Sequence, residues 1–304
     1  MQDEAGAVPA APRLPRGDHD DAHAPDRSRP LCVVVATRDR PHLLAGLLDA
    51  LELALRPGDD VVVVDSASSG DATRQLCVVR GVRVLRLDQP GTSRARNAGW
   101  QATSAPLVAF TDDDCQPRPG WAAALSKALQ DKDFVTGRVV ADRAVTAPVS
   151  LLDDLVGRDL SEQDLVGHGA NCAFRRELLE RLGGFDERLG PGTSLRAAED
   201  GDLLLRALRA GGRGRYEPAA VVVHRQWRSR GQALRLSFSY GLGQGGAAVR
   251  RGRGARAGVR RAVWDDGLRA AARDLRAGYA TGAVAGVLRG TGALLGAAVA
   301  RRRR

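Results

Sequence analysis

Leu31-Cys32-Val33-Val34-Val35-Ala36 is an unbroken apolar run after thirty residues rich in Ala, Pro, Asp and Arg. A run without polar alternation is what a strand buried on both faces of a parallel sheet requires. Working outward, an amphipathic helix is expected from Pro41 to Leu53, with proline in the first turn where its missing N–H costs nothing. A second buried strand, Val61-Val62-Val63-Val64, ends at Asp65, and a third covers Val82 to Leu87. Gly91 to Thr103 reads as a helix, and Pro106 to Thr111 as a fourth strand that runs into Asp112-Asp113-Asp114. This alternation predicts an α/β fold with a mostly parallel central sheet flanked by helices. Ligands of such sheets sit at the carboxyl ends of the strands. Thr37, Asp65 and the aspartate triplet all fall there.

The loops exclude the common nucleotide folds. A dinucleotide-binding domain wants GxGxxG after its first strand and a P-loop wants GxxxxGK[ST]. Thr37-Arg38-Asp39-Arg40-Pro41 has no glycine. The chain of 304 residues is 43% hydrophobic, enough for a packed core, which excludes a disordered chain, a collagen-like fibre and a multi-span membrane protein. Its net charge of +10 is unevenly placed. From His224 onward, eighteen arginines and three acids give +15, so the first 223 residues carry −5. An acidic body with a basic tail does not fit a general nucleic-acid binder. Cys32, Cys77, Cys115 and Cys172 lie far apart without a CxxC pair, so reduced thiols are expected rather than a disulfide framework or zinc site. Residues 1–30 read as a disordered leader with no apolar signal segment, and a cytoplasmic protein is the expectation.

Carboxylates one residue apart at a strand end can converge on one divalent cation, because the chain leaves the pleat there. Mg²⁺ and Mn²⁺ favour oxygen ligands and share them with phosphates. A solvated acidic loop would explain the triplet equally well. Arg94 and Arg96 stand near the start of the preceding helix, where guanidinium and dipole together would attract a diphosphate, unless they are ordinary surface arginines. Glu199, Asp200 and Asp202 crowd the first turn of a later helix, more acids than a cap needs. One of them is a candidate general base. His224 ends the strand-like run Ala219 to Val223 and is either structural or a metal ligand through its imidazole.

Taken in order, VVVATRDRP (33–41), VVVVDSASSGDAT (61–73), GTSRARNAGW (91–100), FTDDDC (110–115), GANCAFRRELLERLGGFDERLG (169–190) and AEDGDLLLRAL (198–208) resemble an inverting family-2 glycosyltransferase of the GT-A fold, over about residues 31–230. The resemblance implies that Thr37 and Asp65 contact the nucleoside, Asp65 near the base. Arg94 and Asn97 would shape the donor pocket, with Arg38 and Asp113 in the same donor-binding set. Asp112 and Asp114 would be the outer acids of the family's DxD, on ribose and metal-diphosphate, and His224 a further metal ligand. Asp200 would be the catalytic base, supported by Glu199. Gly169 to Arg175 and Gly183 to Asp186 resemble the acceptor-lining segment. The implied reaction is a single displacement from a nucleoside-diphosphate sugar to an acceptor hydroxyl, aided by Mg²⁺ or Mn²⁺. Two rivals are a sugar-1-phosphate nucleotidyltransferase, whose GxGxR loop is missing, and a non-catalytic nucleotide-sugar-binding protein on the same scaffold.

Residues 231–304 are expected to form a basic helical extension. Tyr279 to Ala300 is long enough to span a bilayer, but Arg289 near its middle and its many Gly and Ala residues argue against spanning. An interfacial helix facing anionic headgroups at the inner face of the cell membrane is one reading, suited to a glycan or lipid-linked acceptor in envelope synthesis. A solvated arginine-rich hairpin packed on the catalytic part is the other.

Overall fold

Strand β1 (Leu31–Thr37) is buried along its whole length and lies third in a nine-stranded sheet. The computed structural model describes residues 29–142, 157–162, 168–225, 229–250, 255–276 and 280–302. The expected leader lies outside them except for its last two residues, as do Arg251, Arg253, Arg303 and Arg304 of the basic tail. In chain order, β1 is followed by α1 (Pro41–Ala54), β2 (Asp60–Ser66), α2 (Ala72–Val79), β3 (Arg83–Leu87), α3 (Thr92–Gln101), β4 (Leu107–Asp112) and β5 (Cys115–Pro117). Then come α4 (Trp121–Ala128), β6 (Phe134–Ala141), β7 (Arg158–Asp159), β8 (Asn171–Arg175), α5 (Arg176–Leu182), α6 (Glu199–Arg209) and β9 (Gly214–His224).

Strands run in the order β3-β2-β1-β4-β8-β6-β9-β5, with β7 on β9. The first four are mutually parallel, as the apolar runs predict. Beyond β4 the sheet is mixed: β8 is antiparallel to both β4 and β6, while β6 and β9 are parallel. Register in the parallel half fixes the site. Thr37 lies beside Asp65, and Ala36 beside Asp112, so three strands end in line.

Side chains of β1 alternate between two cores, as the pleat dictates. Leu31, Val33 and Val35 join Leu44, Leu47 and Leu51 of α1 with Trp121 and Leu125 of α4. Cys32 and Ala36 face Ala95 of α3 on the other side, where Val34 meets Trp100 and Phe110. Trp121 is held further by its indole N–H, which donates to Asn171 Oδ1 at 2.8 Å. All four cysteines are buried and none pairs with another.

The chain continues through α7 (Arg230–Arg250), α8 (Ala255–Val263), a π-helical turn at Trp264–Arg269, α9 (Ala270–Arg276) and α10 (Ala280–Arg302). α7 and α10 approach backbone to backbone. A β-carbon at Gly241 or Gly245 would run into the carbonyl of Arg289 or Ala293, and one at Gly292 or Gly296 into that of Phe238 or Leu242. The same helix α7 packs Ala247 against Leu189 and Leu195, and its Arg250 Nε lies 3.2 Å from Asp186 Oδ2.

Gly99 lets α3 settle onto the sheet: a β-carbon there would overlap Val34 Cγ1 and sit 3.1 Å from Val64 Cγ2. Gly99→Ala should therefore lower stability by about 1–3 kcal/mol in urea unfolding, despite alanine's better helix propensity. A stability gain would show that the contact is loose.

Candidate active site

The three aspartates that end β4 do three different things. Asp112 faces the cleft and accepts from Arg96 Nη2 at 2.7 Å. Asp113, alternating to the other face, accepts from the Thr37 hydroxyl at 2.6 Å and pairs with Arg40 Nε at 3.0 Å. Burial pushes its carboxyl up to about 7 against the pull of Arg40. Asp113 was expected among the donor-binding residues; it instead pins β4 to β1 and to the first turn after it. Asp114 turns back toward the cleft, where its Oδ1 lies 3.5 Å from His224 Nε2 and its Oδ2 3.7 Å from Arg40 Nη1. The β5–β9 ladder makes this meeting, because Cys115 is paired with His224 across it.

Potential ligand atoms of Asp114, Cys115 and His224 lie within 4.8 Å of one another. A carboxylate and an imidazole suit a hard divalent cation. The Cys115 thiol does not, since burial and then the Asp112 and Asp114 carboxylates push it well above its ordinary range and keep it protonated. The donor set therefore fits a cation held by Asp114 and His224, while Asp112, engaged by Arg96, is not among the atoms of this cluster.

Arg96 joins this end of the sheet to α6. It is only 2% exposed. One nitrogen holds Asp112, the other lies 3.1 Å from Glu199 Oε1, and the guanidinium covers the Phe185 ring at 5.3 Å. Burial works to raise the Asp112 carboxyl, yet Arg96 and then the His168 imidazole hold it below the usual range. Glu199 goes the other way: burial, then the Asp200 carboxylate, push it up to about 7 despite Arg96. Asp200 is oriented by backbone, with Oδ2 accepting from Gly169 N–H at 2.9 Å and Oδ1 from Gly201 N–H at 2.7 Å. So the acids of β4 and of α6 share one arginine.

The remaining expected residues divide. Asp65 is buried at the end of β2, accepting from Ser68 N–H at 2.9 Å, with Arg86 Nη1 at 3.3 Å. Arg38 is exposed at the rim, near Asp39. Arg94, expected to shape the donor pocket, sends its side chain to Gln89 and Glu187 at the surface. Asn97 is buried but engaged by the protein. Its amide donates to Phe185 O and Glu187 Oε1 and its oxygen accepts from Phe185 N–H and Trp100 Nε1–H. It fastens α3 to the 185–187 loop and has no atom left for a donor.

Arg96 and Arg40 were the residues missed in these roles. Helical spacing was the available signal for Arg96: it lies with Ser93, Gly99 and Trp100 on the face that α3 buries, whereas Arg94 falls off it. Backbone strain also collects around the site. Asp39, Ala67, Arg196 and Ala198 all have left-handed φ values between 53° and 75°. Each such non-glycine residue costs on the order of 1–3 kcal/mol and persists only where its surroundings impose it. Asp39 and Ala67 follow β1 and β2; Arg196 and Ala198 lead into α6.

Residues 32–183 match the family described as glycosyl transferase family 2. The chain belongs to that family. Two curated relatives in strains of Mycobacterium tuberculosis, both pre-mycofactocin glycosyltransferases, are 31% identical over 233 residues, which is 72% of this chain and 46% of theirs. The chain thus spans about half the length of the curated relatives it matches. Among solved structures, a mannosyltransferase from Pyrobaculum calidifontis in complex with GDP-Man and Mn²⁺ superposes with a TM-score of 0.58 at 20% identity, covering 89% of both chains. S. aureus TarS residues 1–349 in complex with UDP give 0.54 at 18% identity, over 72% of this chain and 64% of that one. The fold of this chain is GT-A.

Arg96→Met leaves the buried Glu199 and the part-buried Asp112 without their shared partner and should cost about 3 kcal/mol in urea unfolding, whereas Arg94→Met should stay within about 0.5 kcal/mol. Equal effects would show that the Asp112–Arg96–Glu199 bridge carries no stability. Glu199 also sets a pH slope. The folded chain keeps its proton up to about pH 7, while the unfolded chain releases it near 4.5. Between those values the folded state binds more protons, so this contribution to stability falls as pH rises. Glu199→Gln should flatten that part of the profile, measured as Tm against pH.

Proposed function

We propose that this glycosyltransferase moves a sugar from a nucleoside-diphosphate sugar to an acceptor hydroxyl by a single displacement that inverts the anomeric centre. The observation that carries the reading is the Arg96 bridge, which places the acids at the end of β4 and the first turn of α6 in one site. Thr37 and Asp65, at the neighbouring strand ends, flank the place a nucleoside would occupy. Asp114 and His224 are the residues that would hold Mg²⁺ or Mn²⁺. Such a cation, when bound, supplies positive charge to a diphosphate leaving group.

Asp200 is the base. Its carboxyl is fixed by two backbone N–H groups at the start of α6, and it can take the proton of an attacking hydroxyl as that oxygen bonds to the anomeric carbon. The leaving group departs on the opposite side with the bonding electron pair, so no covalent sugar–enzyme bond is needed. Glu199, holding its own proton near neutrality, supports Asp200 without adding a second charge. Arg96 keeps both acids of the bridge in place. The neighbouring mannosyltransferase and TarS structures, solved with GDP-Man and UDP, support a nucleotide-linked donor. We read Gly183 to Asp186, where Arg250 of α7 pairs with Asp186, as part of the acceptor side, in keeping with a glycan or lipid-linked acceptor.

Asp200→Asn should leave donor affinity unchanged and lower kcat by about 10²–10⁴-fold; undiminished turnover would remove Asp200 as the base. Asp114→Ala and His224→Ala should each abolish the extra thermal stabilisation that Mn²⁺ gives with a bound donor. A screen of UDP-, GDP- and dTDP-sugars with and without Mn²⁺ identifies that donor. Indifference of the unmodified protein to every one of them would overturn the reading.

A further inference from the structure

Exposed large apolar side chains are unevenly distributed over the described residues. Leu53, Val78 and Val79 are the only ones before Tyr240; eight more lie from Tyr240 onward. Four of these, Val284, Val287, Leu294 and Leu295, are on α10 and are 48–57% exposed. At about 3.6 residues per turn they form one stripe. Arg289 and the glycines that meet α7 lie on the opposite face, with the Arg289 guanidinium 5.9 Å from the Tyr240 ring. α10 is long and apolar enough by length and composition to cross a membrane, and well under half of its apolar window is buried. Yet its arginine is spent inside the helix pair, and the apolar surface is one-sided. That is the pattern of a helix lying in an interface.

Beside the stripe is a cavity of about 400 Å³ between α8 and α10. Val259, Trp264 and Leu294 form its apolar wall, and Arg256, Arg260 and Arg301 its rim. Trp264 is half-exposed and has Arg269 over its ring at 5.9 Å. No carboxylate among the described residues pairs with any of the three rim arginines, although most arginines before His224 have acid partners. Three unpaired guanidiniums over an apolar floor match a ligand with a phosphate head and hydrocarbon below it. The +15 balance of this part of the chain adds long-range attraction to the same surface.

We propose that the α8–α10 cavity is a headgroup site for anionic phospholipid. Arg256, Arg260 and Arg301 receive the phosphate, while Trp264 and the α10 stripe enter the outer few ångströms of the bilayer. The proposal is independent of the donor and base assignments, since none of these residues is in the active site.

The test is co-sedimentation of the full chain with phosphatidylcholine vesicles and with equimolar phosphatidylcholine–phosphatidylglycerol vesicles. Binding to the mixed vesicles alone is expected, weakening with salt. Arg256→Gln/Arg260→Gln/Arg301→Gln should weaken it on the order of a hundredfold. A control, Arg74→Gln/Arg118→Gln/Arg181→Gln, removes the same charge from the catalytic part and should retain binding. Equal losses in the two triple variants would overturn the site. In the unmodified chain, brominated lipid should quench tryptophan fluorescence, and Trp264→Phe should remove that quenching; its persistence would also count against the proposal. Two further outcomes would overturn it: retention on vesicles after an alkaline carbonate wash, which marks a spanning helix, and stripping by stoichiometric duplex DNA, which marks a general polyanion patch.

Discussion

A buried guanidinium between two carboxylates organises this protein. Arg96 is out of water, so its charge must be matched within the fold, and Asp112 and Glu199 supply the match from different elements. One acid belongs to the sheet and the other to a helix almost ninety residues later in sequence. The bridge thereby ties the end of β4 to the first turn of α6. It also makes the two acids electrostatically unlike. Asp112 is kept ionised, and Glu199, deeper and next to Asp200, is kept protonated near neutrality.

The parallel half of the sheet was readable because full burial on both faces leaves unbroken apolar runs, and the ends of those runs marked Thr37, Asp65 and the aspartate triplet. His224 was readable for the same reason. The antiparallel half was not: β5 and β7 are three and two residues long, too short to show a period, and their position follows from pairing with β9. Within the site, charge was a poor guide to direction. Arg94 and Arg96 look alike in sequence, and only the helical face separates a surface arginine from the central one. Asp113 reads as part of an acidic cluster, but the pleat turns it inward. Asn97 has the composition of a ligand contact and serves as a fastener.

The basic extension shows how composition can mislead. Its glycines would suggest a weak helix, since each costs helix propensity. They serve instead as a packing surface: with no side chains at Gly241, Gly245, Gly292 and Gly296, two helices touch through their backbones. That arrangement leaves Val284, Val287, Leu294 and Leu295 of α10 exposed.

Helix α7 is keyed as closely to the catalytic part as to α10. A β-carbon at Gly243 would strike the carbonyl of Ala197, one residue before the left-handed cap of α6, and Arg250 clasps Asp186 in the loop that Asn97 secures. The tail is thus no interchangeable handle. A chimera that grafted a foreign sequence after His224 would inherit the sheet and its acids, yet lose the wedge that seats the turn ahead of Asp200. Exchanging the tail therefore means redesigning the turn that it seats.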